Sequence, residues 1–117
     1  AIAQKVIAHF HFDKTVHLVC SGSSNQFCME DFYGVGFVID EIVKELGEVG
    51  CTLTDSAKAA HLFYQSYRSK EQGEQILRSS AVGHMLTEQG LDEDLVYVNK
   101  RNIYAIVPQL QGDRIMT

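Results

Sequence analysis

The run from Asp31 to Leu46 limits what this chain can fold into more than any other. Phe32, Val35, Gly36, Ile39, Ile42, Val43 and Leu46 recur there at three- and four-residue intervals. That period is helical, and a helix with a continuous apolar stripe must bury it against another element. Asp40, Lys44 and Glu48 follow four apart and place charge on the opposite face. Gly47 and Gly50 stop the helix. Just upstream, Thr15 to Cys20 (TVHLVC) is short, apolar and β-branched, the pattern of a buried strand. Strand, polar loop and amphipathic helix in that order point to an α/β layer.

The rest of the chain extends this reading. Ile2, Val6 and Ile7 sit at helical spacing, and no cap precedes them, so the opening element is expected to continue from upstream of Ala1. Thr54 and Asp55 are cap residues for a helix running to about Tyr67. Helical sequence resumes at Glu71 and ends near Gly90, with Gly73 and Ser79-Ser80 dividing it in two. Leu95 to Asn99 and Ile103 to Leu110 read as strands. Gln111-Gly112-Asp113 turns into a last short strand at Arg114 to Met116. The fold class expected is α/β. Residues 1–117 form one layered α/β/α domain, with helices against a mixed sheet.

Composition excludes several functions. The net charge is −5 with no basic run, a poor partner for DNA or RNA. No apolar stretch reaches the roughly 20 residues that span a bilayer, and no secretory signal is visible. Three cysteines at irregular spacing do not read as a disulfide framework. A reducing cytoplasm is the simplest setting.

The stretch that bears on chemistry is Cys20-Ser21-Gly22-Ser23-Ser24, at a strand end before a helix. Small residues let backbone N–H groups approach an anion, and a helix N-terminus adds positive potential. A plain strand-to-helix loop explains the pattern equally well. Tighter motifs are absent: Gln26 stands where a cysteine phosphatase loop needs arginine, and there is no Asp-x-Asp and no Gly-x-x-x-x-Gly-Lys. Gly34 and Gly36 lie inside the helical pattern, where close helix packing explains them. Glu30 and Asp31 open the helix; the dipole favours acids there, and one of them facing the loop would also suit a hard cation. Adjacent helical residues point about 100° apart, so both do not ligate together. Asp55 has the same two readings, with capping ahead. His9, His11, His17, His61 and His84 form no zinc spacing.

Taken together, these stretches resemble the 2-phosphosulfolactate phosphatase (ComB) family. VHLVCSG followed by FCMEDF is similar to the segment where an apolar strand ends in Cys-Ala/Ser-Gly and a Glu-Asp pair opens a helix. LTDSAKAAHLFY, SSAVGHMLTEQGLDEDLVY and IVPQLQGDRI resemble the family's next segments in the same order. The resemblance implies Mg²⁺-dependent hydrolysis of 2-phosphosulfolactate, a step of coenzyme M biosynthesis. It assigns Cys20, Ser21 and Gly22 to the site, Glu30 and Asp31 to catalysis and the metal, and Asp55 and Ser80 to substrate binding. Cys28 departs from a common capping serine, and Asn102 from a common aspartate. Family members also carry an upstream half with an Asp and Arg motif and a Thr-Thr-Asn-Gly stretch, and nothing here resembles either. The expectation is therefore the C-terminal half of a two-part fold, inactive alone, with the N-terminal half or a second copy as partner. The other class left open is a non-enzymatic α/β binding or assembly domain.

Overall fold

The computed structural model describes residues 1–11, 13–47 and 49–117. Among the described residues six helices precede one hairpin: α1 Ile2–His9, α2 Met29–Leu46, α3 Asp55–Ser66, α4 Lys70–Ser79, α5 Ala81–Glu88 and α6 Asp92–Val98, then β1 Gln109–Gln111 and β2 Arg114–Met116. The helix starts follow their local chemistry. Thr54 Oγ1 accepts the Ala57 N–H at 3.3 Å. Ser69 and Gln72 form a reciprocal capping box at α4. Ser80 Oγ accepts the Gly83 N–H at 2.9 Å and opens α5. The break between α4 and α5 falls at the Ser79-Ser80 pair, as the sequence indicates. Gly47 ends α2 with φ 72°.

α2 and α3 form the centre of the molecule. At Gly36 the two backbones approach so closely that a Cβ there would overlap the Ala60 carbonyl and lie 2.7 Å from Tyr64 Cβ. Gly34 differs, since a Cβ would meet nothing within 4 Å. Helix packing therefore accounts for Gly36 but not Gly34. The tightest apolar cluster is Tyr33, Tyr64 and Ile76, with Met29, Phe37 and Phe63 against it. Tyr33 and Tyr64 rings lie 5.3 Å apart, and Tyr33 meets Phe63 edge-on at 6.2 Å.

The buried stripe of α2 is rotated from the one the spacing predicts. Tyr33, Gly36, Ile39 and Asp40 are its buried residues. Phe32, Val35, Ile42 and Leu46 instead line a broad cavity of about 520 Å³, shared with Lys14 to Leu18 and Cys20. Asp40 was expected on the charged outer face, yet it is 3% exposed. It is stable there because Lys44 Nζ lies 2.7 Å away, His61 Nε2 2.9 Å and Arg68 Nη2 3.7 Å. Glu48, the third charge of that series, lies outside the described residues.

The strand expectations hold only at the C-terminus. β1 and β2 pair antiparallel, with Leu110 opposite Ile115, and Gly112 supplies a turn φ of 64°. Leu95 to Asn99 is not a strand: Leu95 to Val98 belong to α6, and Asn99 is its C-cap. Asp92, Glu93 and Asp94 fill the first turn of α6, where the helix dipole favours them. A four-residue apolar run cannot distinguish helix from strand by period alone. Thr15 to Cys20 and Ile103 to Pro108 carry no strand assignment. A strand is made by its ladder, and neither segment has a strand partner among the described residues. The chain is thus a helix-rich mixed domain with a two-stranded sheet.

Candidate functional site

Two features build the site, a loop before α2 and a cavity beside it. The loop is a fixed turn rather than a loose connection. Ser23 and Gln26 exchange backbone hydrogen bonds at 3.2 and 2.8 Å. Between them Ser24 and Asn25 hold φ values of 51° and 59°, the twist of a tight hairpin turn. Gly22 has φ 70°, and a Cβ there would lie 2.6 Å from the Gln26 carbonyl oxygen. Only glycine fits.

Asp31 ties this loop to the helix. The Gly22 N–H donates to Asp31 Oδ2 at 2.7 Å, and the Ser21 hydroxyl donates to the same oxygen at 3.5 Å. The structure therefore brings Ser21, Gly22 and Asp31 together. Cys20 adjoins them and is exposed. What burial it has pushes its thiol pKa up, and the Asp31 charge pushes it further. The environment opposes the lowered pKa that a nearby helix N-terminus suggests, and it favours the thiol over the thiolate.

The second feature is a cavity of about 320 Å³ between α2, α4, α5 and α6. Glu30, Asp31, Tyr33, Gly34 and Phe37 contribute from α2, Ser80 and Val82 from the N-cap and first turn of α5, and Asn99 and Arg101 from the end of α6 and beyond. Ser80 is buried, and its hydroxyl also donates to the Leu77 carbonyl at 2.9 Å. Glu30 Oε2 and Asn99 Oδ1 are buried without a hydrogen-bond partner. The adjacent acids of α2 thus have different surroundings. Asp31 holds the loop, while Glu30 keeps an unspent oxygen. Asp55 is apart from both features: its side chain is fully exposed and pairs with Lys58 at 3.8 Å.

Arg101 is the residue sequence reasoning missed. It follows α6 in the chain and folds back over α2 and α3. Nη1 donates to the Tyr64 hydroxyl and to the Arg68 carbonyl, each at 2.9 Å, and Nη2 donates to the Tyr33 hydroxyl at 2.9 Å. The guanidinium also lies over the Phe37 and Tyr64 rings at 5.7 and 5.3 Å. The sequence offered no local signal for this role, and the next residue, Asn102, has a left-handed φ of 56°.

Among the described residues no three His, Cys, Asp or Glu side chains converge on one metal position. Magnesium needs fewer, taking oxygen ligands from one or two protein carboxylates with water completing the shell. Glu30 lines the cavity and holds one buried, unpartnered carboxylate oxygen, which fits that demand.

A loop pinned by a carboxylate thus lies beside a small, mainly apolar cavity on a helix-rich mixed domain, the kind of concave surface that small ligands commonly occupy. The chain belongs to the 2-phosphosulpholactate phosphatase family, whose profile matches residues 1–113. A probable 2-phosphosulfolactate phosphatase of Clostridium botulinum (strain Eklund 17B / Type B) is 29% identical over 116 residues, covering 99% of this chain and 45% of its own length. A protein of the same name from Clostridium perfringens (strain SM101 / Type A) is 32% identical over 105 residues, covering 90% of this chain and 40% of its own. One from Thermotoga petrophila is 25% identical over 105 residues. The chain therefore spans less than half the length of these relatives. No solved structure gives a significant match. No described helix is long and apolar enough to cross a membrane.

Proposed function

We propose that this chain forms part of a phosphatase that hydrolyses 2-phosphosulfolactate to sulfolactate and phosphate with Mg²⁺. The family match over residues 1–113 is the observation that carries the reading. In the reaction water adds to phosphorus, the bond to the C2 oxygen breaks, and that oxygen leaves as the alcohol after taking a proton. Such chemistry is mainly positioning and charge stabilisation.

Glu30, with its buried free oxygen, is the residue to hold the cation, which when bound would neutralise phosphate charge and orient water. Asp31 acts through the loop, fixing the Gly22 and Ser21 donors at its oxygen. Ser80 shapes the cavity and starts α5. Cys20 lines the loop as a protonated thiol rather than attacking phosphorus. Asp55, solvated on α3, would reach a substrate only through a segment outside this chain.

The charge balance of the cavity also supports a need for more protein. Glu30 and Asp31 face it against one cation, Arg101. A phosphate monoester brings nearly two further negative charges. We infer that the remaining half of the relatives' length supplies positive charge here. It would also pair the exposed Val16, Val19, Ile103 and Ile106 segments into the layered sheet. The cellular setting proposed is the cytoplasm, in coenzyme M biosynthesis.

The test is phosphate release from 2-phosphosulfolactate with and without Mg²⁺, by the 117-residue chain alone and by a protein that also carries the family's N-terminal half. Turnover confined to the longer protein and lost with chelator is expected. Robust turnover by the chain alone would place every catalytic group within these residues. No turnover by either would favour the binding-domain alternative.

A further inference from the structure

We propose that Arg101 is the residue that binds a tetrahedral oxyanion in the cavity between α2 and α6, a phosphate or sulfonate group of the ligand; the choice of ligand class rests on the phosphatase reading. Its hydrogen-bond partners are all neutral: two tyrosine hydroxyls and a backbone carbonyl. No ion pair to a carboxylate forms at Arg101 among the described residues. A guanidinium carries five N–H donors, and the bonds to Tyr33, Tyr64 and Arg68 leave donors over. A permanently charged group, half-buried and without a counter-ion, is completed by an anion from outside the fold.

The group is also fixed in place before any ligand arrives. It lies over two aromatic rings, Phe37 and Tyr64. Gly73 of α4 makes room for it: a Cβ there would lie 2.6 Å from the Tyr33 hydroxyl, 2.8 Å from Asn99 Oδ1 and 3.1 Å from Arg101 Nη2. Little side-chain freedom remains to be lost on binding.

The cavity wall is mainly apolar, and its few other polar residues say which way the ligand lies. Glu30 Oε2 and Asn99 Oδ1 are buried acceptors without donors, and both residues line the same cavity as Arg101. Glu30 repels a bare anion. A ligand that places oxyanion atoms on Arg101 and an O–H or a bound hard cation toward Glu30 and Asn99 satisfies both sides. Hydrogen phosphate and a cation-bridged phosphate ester each have that polarity.

A purely structural Arg101, tying the exit of α6 to α2, α3 and α4, would affect folding and ignore ligands. Two measurements separate the roles in the full protein carrying this sequence. In the first, arginines of the wild type are modified with phenylglyoxal and mapped by mass spectrometry, with and without inorganic phosphate or methanesulfonate. Arg101 modification should slow at least ten-fold with a saturating anion. The anion that protects at lower concentration identifies the end of the ligand held there. In the second, Val82→Glu adds a carboxylate to the cavity wall without touching the bonds of Arg101. An acid in the first turn of α5 is compatible with the helix dipole, so the unfolding midpoint should hold while calorimetric phosphate affinity falls at least ten-fold. Equal modification of Arg101 with and without both anions would overturn the proposal, as would unchanged affinity in folded Val82→Glu. Protection of Arg101 without phosphatase turnover would keep this site and remove the phosphatase reading; turnover with Arg101 unprotected would do the reverse.

Discussion

Replacing Asp40 with asparagine keeps the shape of the α2–α3 interface and removes one buried charge. The carboxylate is 3% exposed and faces Lys44, His61 and Arg68. Burial pushes its pKa up, but hydrogen bonds from Lys44 and His61, with the charges of Lys44 and Arg68, outweigh this and hold it below the ordinary aspartate range. Losing one partner of a fully buried pair costs about 3–5 kcal/mol. Here the cost is smaller, because Lys44 and Arg68 are 48% and 56% exposed and return to water. The amide oxygen of asparagine can still accept from His61. A charged hydrogen bond is worth about 1.5–3 kcal/mol, so Asp40→Asn should cost about 1–2 kcal/mol at pH 7. That corresponds to a midpoint roughly 4–8 °C lower for a domain of this size. The pH dependence gives the sharper test. A carboxylate whose folded pKa is depressed contributes stability that is complete above its unfolded value, about 3.9, and is lost as pH falls through the folded value. The stability gap should therefore be constant from pH 7 to about pH 5 and close below about pH 4. Urea titrations of both proteins from pH 7 to pH 2.5 measure it. A gap under about 0.3 kcal/mol at pH 7, or one unchanged at the acid end, would refute the assignment of that stability to the ionised carboxylate.

Gly36→Ala should destabilise by about 1–3 kcal/mol because its methyl meets the α3 backbone, whereas Gly34→Ala, with open space around it, should be neutral or stabilise by up to about 1 kcal/mol through helix propensity; paired denaturant titrations compare them. In a protein that also carries the family's N-terminal half, Glu30→Gln should abolish most Mg²⁺-dependent turnover with a stability change of only about 0.3–1 kcal/mol, and titrating turnover against Mg²⁺ would show it; near-wild-type activity would remove Glu30 from the metal. Asp31→Asn should act through the loop instead, with faster hydrogen exchange at the Gly22 amide as its signature. Cys20 has a raised pKa, so at pH 7.5 it should alkylate with iodoacetamide more slowly than free cysteine and speed up only at higher pH; Cys20→Ser should keep turnover, and its loss would restore Cys20 as a catalytic group.

The sequence by itself determined the elements whose chemistry is local. The α2 period, the Thr54 cap, the division at Ser79-Ser80 and the Gly112 turn each depend on residues within a few positions of one another. So does the order of motifs that marks the family. Tertiary structure decided whatever depended on partners distant in sequence. Leu95 to Val98 is helix where α6 packs against α4 and α5 and buries Leu95. Thr15 to Cys20 has strand composition but no ladder partner among the described residues. Asp40 has the spacing of a surface charge, yet α3 brings His61 and Arg68 toward it and makes burial tolerable. Glu30 and Asp31 are neighbours in the chain, and only the fold directs one to the Gly22 amide and leaves the other an unpaired oxygen. Arg101 reaches the α2 cavity across 68 residues of separation from Tyr33, a distance that no local pattern of charge or hydropathy encodes.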